Sequence, residues 1–290
     1  MRPAIWLLYD DPDYTTNRDF AALLRREGER RGLLIEPVLA SQLTLGFDGG
    51  GRPFCLRRGS AALPAAVFSR QRNSLVSVHF ERMGVPVLNG SRVCEICNDK
   101  RRTHQFLSGL PMPQTLFLRS GLKDPPEGTR FPVVVKPADS HGGDRVTLVH
   151  TADEWRAAAG SICPGPAVQQ AVVSGAGRDL RVYVVFGQIV AGVMRTASEG
   201  IVSNYKRGGR VRLHTLTEEE RALAGLVIRR FEQARAPLCL AGIDLLYDGG
   251  RPVVGEVEDV VGSRMLYQTS ELNIASMFLD AFLDHFANLI

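Results

Sequence analysis

Two apolar runs, LCLAGIDLLYD (238–248) and RPVVGEVED (251–259), flank Gly249 and Gly250 and carry Asp244, Glu256 and Glu258 among their valines and leucines. A glycine pair between two such runs predicts an antiparallel hairpin. Residues two apart on a strand share one face, about 7 Å from each other, so Glu256 and Glu258 point together. A three-residue connection would set Asp244 opposite Glu256 and add a third carboxylate. Carboxylates gathered between apolar strand segments repel one another unless a positive charge sits among them. Oxygen-only ligands suit a hard divalent cation, Mg2+ first and Mn2+ as the alternative, that completes its shell with water and nucleotide phosphates. A solvated acidic hairpin face is the competing reading of these three residues taken alone.

The rest of the chain alternates strand and helix patterns, so the expected fold class is mixed α/β and α+β. AIWLLYD (4–10), the amphipathic RDFAALLRREGERRG (18–32) and LIEPVLA (34–40) read as a β-α-β opening. A turn-rich segment around Gly49–Gly51, the strand AAVFS (65–69), a helix over Leu75 to Met83 and the strand VPVLN follow, giving a small N-terminal α/β domain over 1–90. A central lobe over 91–173 starts with a helix carrying Lys100 and continues as FPVVVKP and RVTLVH, a hairpin around the polar loop ADSHGGD. Thr151 with Glu154 forms a capping box before the next helix, and PAVQQAVV reads as a further strand. A C-terminal lobe over 174–290 pairs DLRVYVVF with IVAGVMRT. It then passes through the loop SEGIVSNYKRGGR to a helix capped by Thr217 and Glu220, the acidic hairpin, and a closing helix, NIASMFLDAFLDHF.

Composition narrows the function. The 290 residues are 44% hydrophobic and 23% charged, enough for more than one buried core in a soluble body. No run approaches the roughly 18 to 20 apolar residues of a membrane span, and acids follow the start too soon for a signal peptide, so no membrane partner and a cytoplasmic location are expected. The net charge of +4 is scattered, which does not imply nucleic acid. Five cysteines make no secreted disulfide framework, and the pair Cys94 and Cys97 lies at i, i+3, where both thiols are expected to pack inward.

Several cationic and glycine residues fit a polyphosphate. Lys100 and Lys136 could reach it from different sides, and the loop Ser140, His141, Gly142 and Gly143 could close backbone N–H groups over it. His141 is assigned to that loop and not to proton transfer. Arg181 and Arg195 fall on adjacent predicted strands, where arginine's planar fork suits phosphate or carboxylate. Asn204, Lys206 and Arg207 lie in the interrupting loop, which could close on the site.

In this order, NDK (98–100), VVVKP (133–137), RDLRVYVV (178–185), SNYKRGG (203–209), AGIDLL (241–246) and GEVE (255–258), the sequence resembles the ATP-grasp superfamily, most closely its RimK-like glutamate ligases. The resemblance covers roughly residues 89 to 290. It implies an ATP-grasp fold in which two α+β lobes enclose ATP behind an N-terminal α/β domain. Lys100 and Lys136 would meet the phosphates, with Ser203 and Asn204 also at the nucleotide, Gln169, Gln170, Ala171 and Val172 beside adenine, and Asp179 at the ribose. Asp244, Glu256 and Glu258 would hold magnesium, and Arg181, Arg195 and Lys206 would be catalytic. Arg70, Arg207 and Arg264 would face the substrates. Position 258 is Glu where the family commonly has Asn, a charge that Arg264 or Arg195 would compensate, and QQAV stands where an acid and an aromatic are common. The implied activity joins a carboxylate to an amine through an acyl-phosphate, adding an amino acid such as glutamate to a peptide, protein or small amine. A homo-oligomer, dimer or tetramer, is also implied. The same nucleotide site would serve a phosphotransferase or a catalytically weak nucleotide-binding regulator.

Overall fold

The computed structural model describes residues 4–162, 165–198 and 209–287. β1 (Ala4–Tyr9), α1 (Asp11–Arg30) and β2 (Leu34–Leu39) form the opening unit, with β1 and β2 parallel. Every residue of β1 from Ile5 onward is apolar because both faces are covered. Ile5, Leu7 and Tyr9 pack toward the C-terminal part of the chain, and Trp6 and Leu8 pack toward Phe80 and Val85. The segment read as turns is a sheet of its own. β3 (Leu43–Phe47), β4 (Pro53–Arg57) and β5 (Ser60–Ala61) pair antiparallel across the Gly49–Gly51 turn. β6 (Ala66–Ser69), α2 (Ser74–Arg82) and β7 (Val87–Leu88) complete a parallel sheet of order β2-β1-β6-β7.

The single helix expected from Ser91 is two, α3 (Ser91–Cys97) and α4 (Lys100–Phe106). The Asp99 carboxylate accepts the Arg101 N–H at 2.9 Å and starts α4 afresh, which places Lys100 at its first position. Val93, Ile96 and Leu107 of this segment are buried with the C-terminal sheet, so packing assigns α3 and α4 to that sheet although the sequence pattern groups them with the central lobe. The central sheet itself contains β8 (Thr115–Leu118), β9 (Val133–Pro137), β10 (Thr147–Val149) and β11 (Ala167–Ala171) in the order β10-β9-β11-β8, with α5 (Ala152–Ile162) packed on it through Trp155. Thr151 Oγ1 accepts the Glu154 N–H, but the Glu154 carboxylate turns back to the N–H of His150 and not to that of Thr151.

The C-terminal sheet, order β14-β13-β12-β15-β16, is antiparallel throughout. Its strands are β12 (Arg178–Val185), β13 (Gln188–Thr196), β14 (Arg210–Leu213), β15 (Leu240–Asp248) and β16 (Arg251–Glu258). α6 (Glu218–Gln233), with the predicted Thr217–Glu220 capping box intact, covers one face through Leu223, Val227 and Phe231. α7 (Arg264–Thr269) and α8 (Ile274–His285) lie toward the other face, where Phe278 and Phe282 pack edge-on against Phe68 of the N-terminal sheet. The buried Asn89 ties the two parts together. Its amide donates to the carbonyls of Leu240 and Asp259, both at 2.8 Å, and its oxygen accepts the N–H groups of Cys239 and Leu240. No helix among the described residues is long and apolar enough to cross a membrane.

Candidate active site

Between the central and C-terminal sheets lies a cleft of about 370 Å3. Asp244, Glu256 and Glu258 stand on its floor, with ligand oxygens all within 4.8 Å of one another. Asp244 does face Glu256, though by a different route from the one expected. The connection between β15 and β16 is only Gly249 and Gly250, so an unbroken ladder would set Asp244 against Gly255. A register shift between Asp244 and Leu245 inserts Gly255 as an extra residue, which turns Val254 and Val257 to the core and Glu256 and Glu258 to the cleft.

Two arginines organise the floor. Arg181 lies opposite Asp244 in the ladder and grips it with both nitrogens of its fork, Nε to Oδ1 at 2.7 Å and Nη2 to Oδ2 at 2.6 Å. Arg195, opposite Asp179, grips that carboxylate in the same way and reaches Asp244 Oδ2 at 2.6 Å. Burial alone would raise the Asp244 carboxyl, but the two guanidiniums outweigh it and hold it below the usual range. Gly242 makes the close approach of Arg181 possible, since a Cβ there would meet Val261 at 2.7 Å and Arg181 Nε at 3.3 Å. The charge added by Glu258 is met directly by Arg181, at 2.7 Å, with the expected Arg195 contributing through its field and no ion pair to Arg264 among the described residues.

Asp179, Asp244 and Glu258 share two guanidiniums, and Glu256, which Lys100 approaches at 4.0 Å, adds a fourth carboxylate, so the acids of the floor outnumber its arginines. Burial, with the neighbouring Asp244 and Glu256, raises the Glu258 carboxyl against the pull of Arg181. An all-oxygen, electron-rich set of this kind fits Mg2+ or Mn2+.

The lysines enter from the other side. Lys100 Nζ donates to the carbonyl of Ser140 and stands 4.0 Å from Glu256 Oε2. Lys136 Nζ donates to Gln170 Oε1 at 3.0 Å. Burial lowers Lys136 to about 8; Glu256 opposes this and Lys100 adds to it. Ser140, His141, Gly142 and Gly143 line the cleft beside them. Burial, reinforced by Arg72 and Lys100, brings His141 down to about 4, so the imidazole is neutral near pH 7.

Gln170, Ala171 and Val172 line the cleft, but Gln169 does not. Its side chain points to the opposite face of β11, where its oxygen accepts the Trp155 indole N–H at 2.6 Å, because neighbours on a strand alternate faces. Asp179, expected at a ribose, lines the cleft with both oxygens engaged by Arg195. Arg264 lines the cleft from the start of α7. Arg70 is buried beside the cleft instead of lining it, donating to the Val261 carbonyl at 2.7 Å and lying over the Phe20 ring. Its neighbour Arg72 takes the lining position, paired with Asp13 at 2.8 Å. Ser203, Asn204, Lys206 and Arg207 lie outside the described residues.

Some cleft residues have no counterpart in the sequence reading. Asp13, Thr16 and Asn17 reach the cleft from the first turns of α1. Asp259 is pushed up to about 6 by burial, against the Asn98 amide that donates to both its oxygens. Asn98 belongs to the NDK motif (98–100), but its pairing with Asp259, 161 residues away, is not legible there. Cys94 is buried as expected, whereas Cys97 is only partly so and lines the cleft.

The chain matches the RimK-like ATP-grasp domain over residues 98–282. It is 28% identical over 292 residues to a probable alpha-L-glutamate ligase of Parasynechococcus marenigrum (strain WH8102), an alignment covering 95% of this chain and 60% of that protein. To a probable alpha-L-glutamate ligase of Hydrogenovibrio crunogenus (strain DSM 25203 / XCL-2) it is 33% identical over 211 residues, 69% of this chain and 68% of the relative. The solved RimK domain protein ATP-grasp from Sphaerobacter thermophilus DSM 20745 superposes with a TM-score of 0.70 at 20% identity, covering 97% of this chain and 98% of that one.

Proposed function

The chain belongs to the RimK-like ATP-grasp family, and from that premise we propose that it is an ATP-dependent carboxylate–amine ligase that adds an amino acid, glutamate foremost, to a peptide, protein or small amine. One observation carries this reading: Lys100 and Lys136 converge on the same cleft as Asp244, Glu256 and Glu258. Cations on one wall and clustered acids on the other form the charge pattern that a metal-bound triphosphate needs.

In the proposed reaction, Lys100 and Lys136 hold the nucleotide phosphates, and the loop Ser140–Gly143 closes backbone donors over them. Asp244, Glu256 and Glu258 would hold Mg2+, which when bound neutralises phosphate charge. The substrate carboxylate oxygen attacks the γ-phosphorus, the bond to ADP breaks, and an acyl-phosphate results. Arg181 and Arg195 clamp their carboxylates through Nε and Nη2 and line the cleft, where their guanidiniums are suited to the transferring phosphoryl oxygens. The amine then attacks the acyl carbon, phosphate leaves with the bonding pair, and the amine gives up a proton as the amide forms. The neutral His141 serves as a wall of the phosphate loop. Arg72, Asp13 and Arg264 are placed for substrate groups, with Arg72 replacing Arg70 in that part.

The test is ADP release from the purified full chain with Mg-ATP, a panel of amino acids and candidate amine acceptors, with products read by mass spectrometry. Lys136→Ala and Glu256→Ala should each abolish substrate-dependent release. Full turnover in both variants would sink the assignment. Hydroxylamine trapping of the acyl-phosphate separates a ligase from a phosphotransferase that stops after phosphorylation.

A further inference from the structure

Behind Lys136 a short chain of hydrogen bonds runs out of the cleft to the edge of the central sheet. Gln170 accepts from Lys136 Nζ through Oε1 at 3.0 Å, and its Nε2 donates to Thr115 Oγ1 at 3.1 Å. Thr115, the first residue of β8, also meets His104 Nε2 at 2.9 Å and the Pro113 carbonyl at 3.0 Å. His104 sits in α4, stacked on Phe117.

The Lys136 end of this chain fixes the orientation of the Gln170 amide. A lysine ammonium only donates and a carbonyl only accepts. The single hydroxyl proton of Thr115 goes to the Pro113 carbonyl or to His104 Nε2, whose partner nitrogen Nδ1 stands 3.2 Å from Met112 Sδ, and in either case a lone pair of the Thr115 oxygen is left for Gln170. The Gln170 amide therefore stands with its oxygen toward Lys136 and its NH2 toward Thr115. Both ends of the amide require the same orientation.

A carboxylate at position 170 would not need such help, because either oxygen can accept from an ammonium. An amide that turns over presents an NH2 to the ammonium instead, and the tether becomes a repulsion. We propose that Thr115, backed by His104, is a positioning residue for the nucleotide site: it holds the Gln170 amide in the one orientation that tethers Lys136. Nothing in the motifs that define the site includes Thr115 or His104. The inference rests on the reading of Lys136 as a nucleotide ligand and adds a residue that acts on it through another.

The test is titration calorimetry of Mg-ATP on the full chain. Thr115→Val keeps the β-branched shape suited to β8 but removes the acceptor, and Mg-ATP affinity should fall about five- to tenfold, the loss of one oriented hydrogen bond. Thr115→Ser keeps the hydroxyl and should restore most of that affinity. In a Gln170→Glu background, Thr115→Val should cost less than about twofold, since orientation no longer matters. A merely structural role for Thr115 would give the same loss in both backgrounds, and that result, or no loss with Gln170 present, would overturn the inference alone. No Mg-ATP binding by the unaltered protein would instead overturn the nucleotide site and this inference with it.

Discussion

Asp244 stands across from Glu256 because Gly255 is an extra residue in β16. A Cβ on Gly255 would come within 3.0 Å of Leu246 Cγ and 3.1 Å of the Asp244 carbonyl oxygen, so the bulge has no room to spare. Gly255→Ala should destabilise the protein by about 1–2 kcal/mol through overpacking and raise the Mg2+ concentration needed for nucleotide binding. Chemical denaturation and a magnesium titration of ATP affinity measure the two effects. An unchanged magnesium requirement would separate the bulge from the acid cluster.

Arg181 holds two acids at once, Asp244 and Glu258. Breaking a buried pair by removing one partner leaves unpaired charge, so Arg181→Met should cost about 3–5 kcal/mol. Adding Glu258→Gln removes one of the stranded charges and should recover part of that loss, a non-additivity that urea denaturation of the single and double variants would display. Strict additivity would mean that the two side chains do not act on each other.

Lys136 titrates near 8, mainly because it is buried. A lysine whose folded pKa lies below its unfolded value of about 10.4 binds its proton less well when folded. Its contribution to the stability of the free protein is therefore complete above about pH 10 and is lost as pH falls through about 8. Nucleotide binding works in the opposite sense, because phosphate favours the charged form. ATP affinity should hold below pH 8 and fall by up to about tenfold per pH unit above it, with proton uptake on binding. Calorimetry at pH 8.5 in two buffers of different ionisation enthalpy would reveal the uptake, and Lys136→Met should abolish it.

Asn89 uses all four of its hydrogen-bonding positions on Cys239, Leu240 and Asp259 while only 5% exposed. Asn89→Ala would leave backbone groups of the C-terminal sheet without partners and should cost about 2–4 kcal/mol. Asn89→Asp, which cannot donate to the two carbonyls, should be nearly as damaging. Thermal unfolding of both variants checks this.

What the sequence determined by itself is what depends on neighbours along the chain. The apolar run of β1 demands two covered faces, the Thr217–Glu220 box starts α6, and glycine pairs close the hairpins. The alternation of a strand put Glu256 and Glu258 on one side of β16. The order of lysines, glycines and acids carried the family as well, because each belongs to a local motif.

Tertiary structure alone decided the rest. Gln169 and Gln170 are chemically identical and adjacent, and only the position of Trp155 shows which of them faces the cleft. Arg72 and not Arg70 lines the cleft because of how the N-terminal sheet meets the loop after β16. Arg181 is the partner of Glu258 because β12 and β16, remote in sequence, flank β15 on its two sides. Helices α3 and α4 follow the C-terminal sheet because Val93, Ile96 and Leu107 bury there. Local patterns report the torsional and periodic preferences of a short segment. Ion pairs and burial between distant segments depend on distances that exist only once the whole chain has packed.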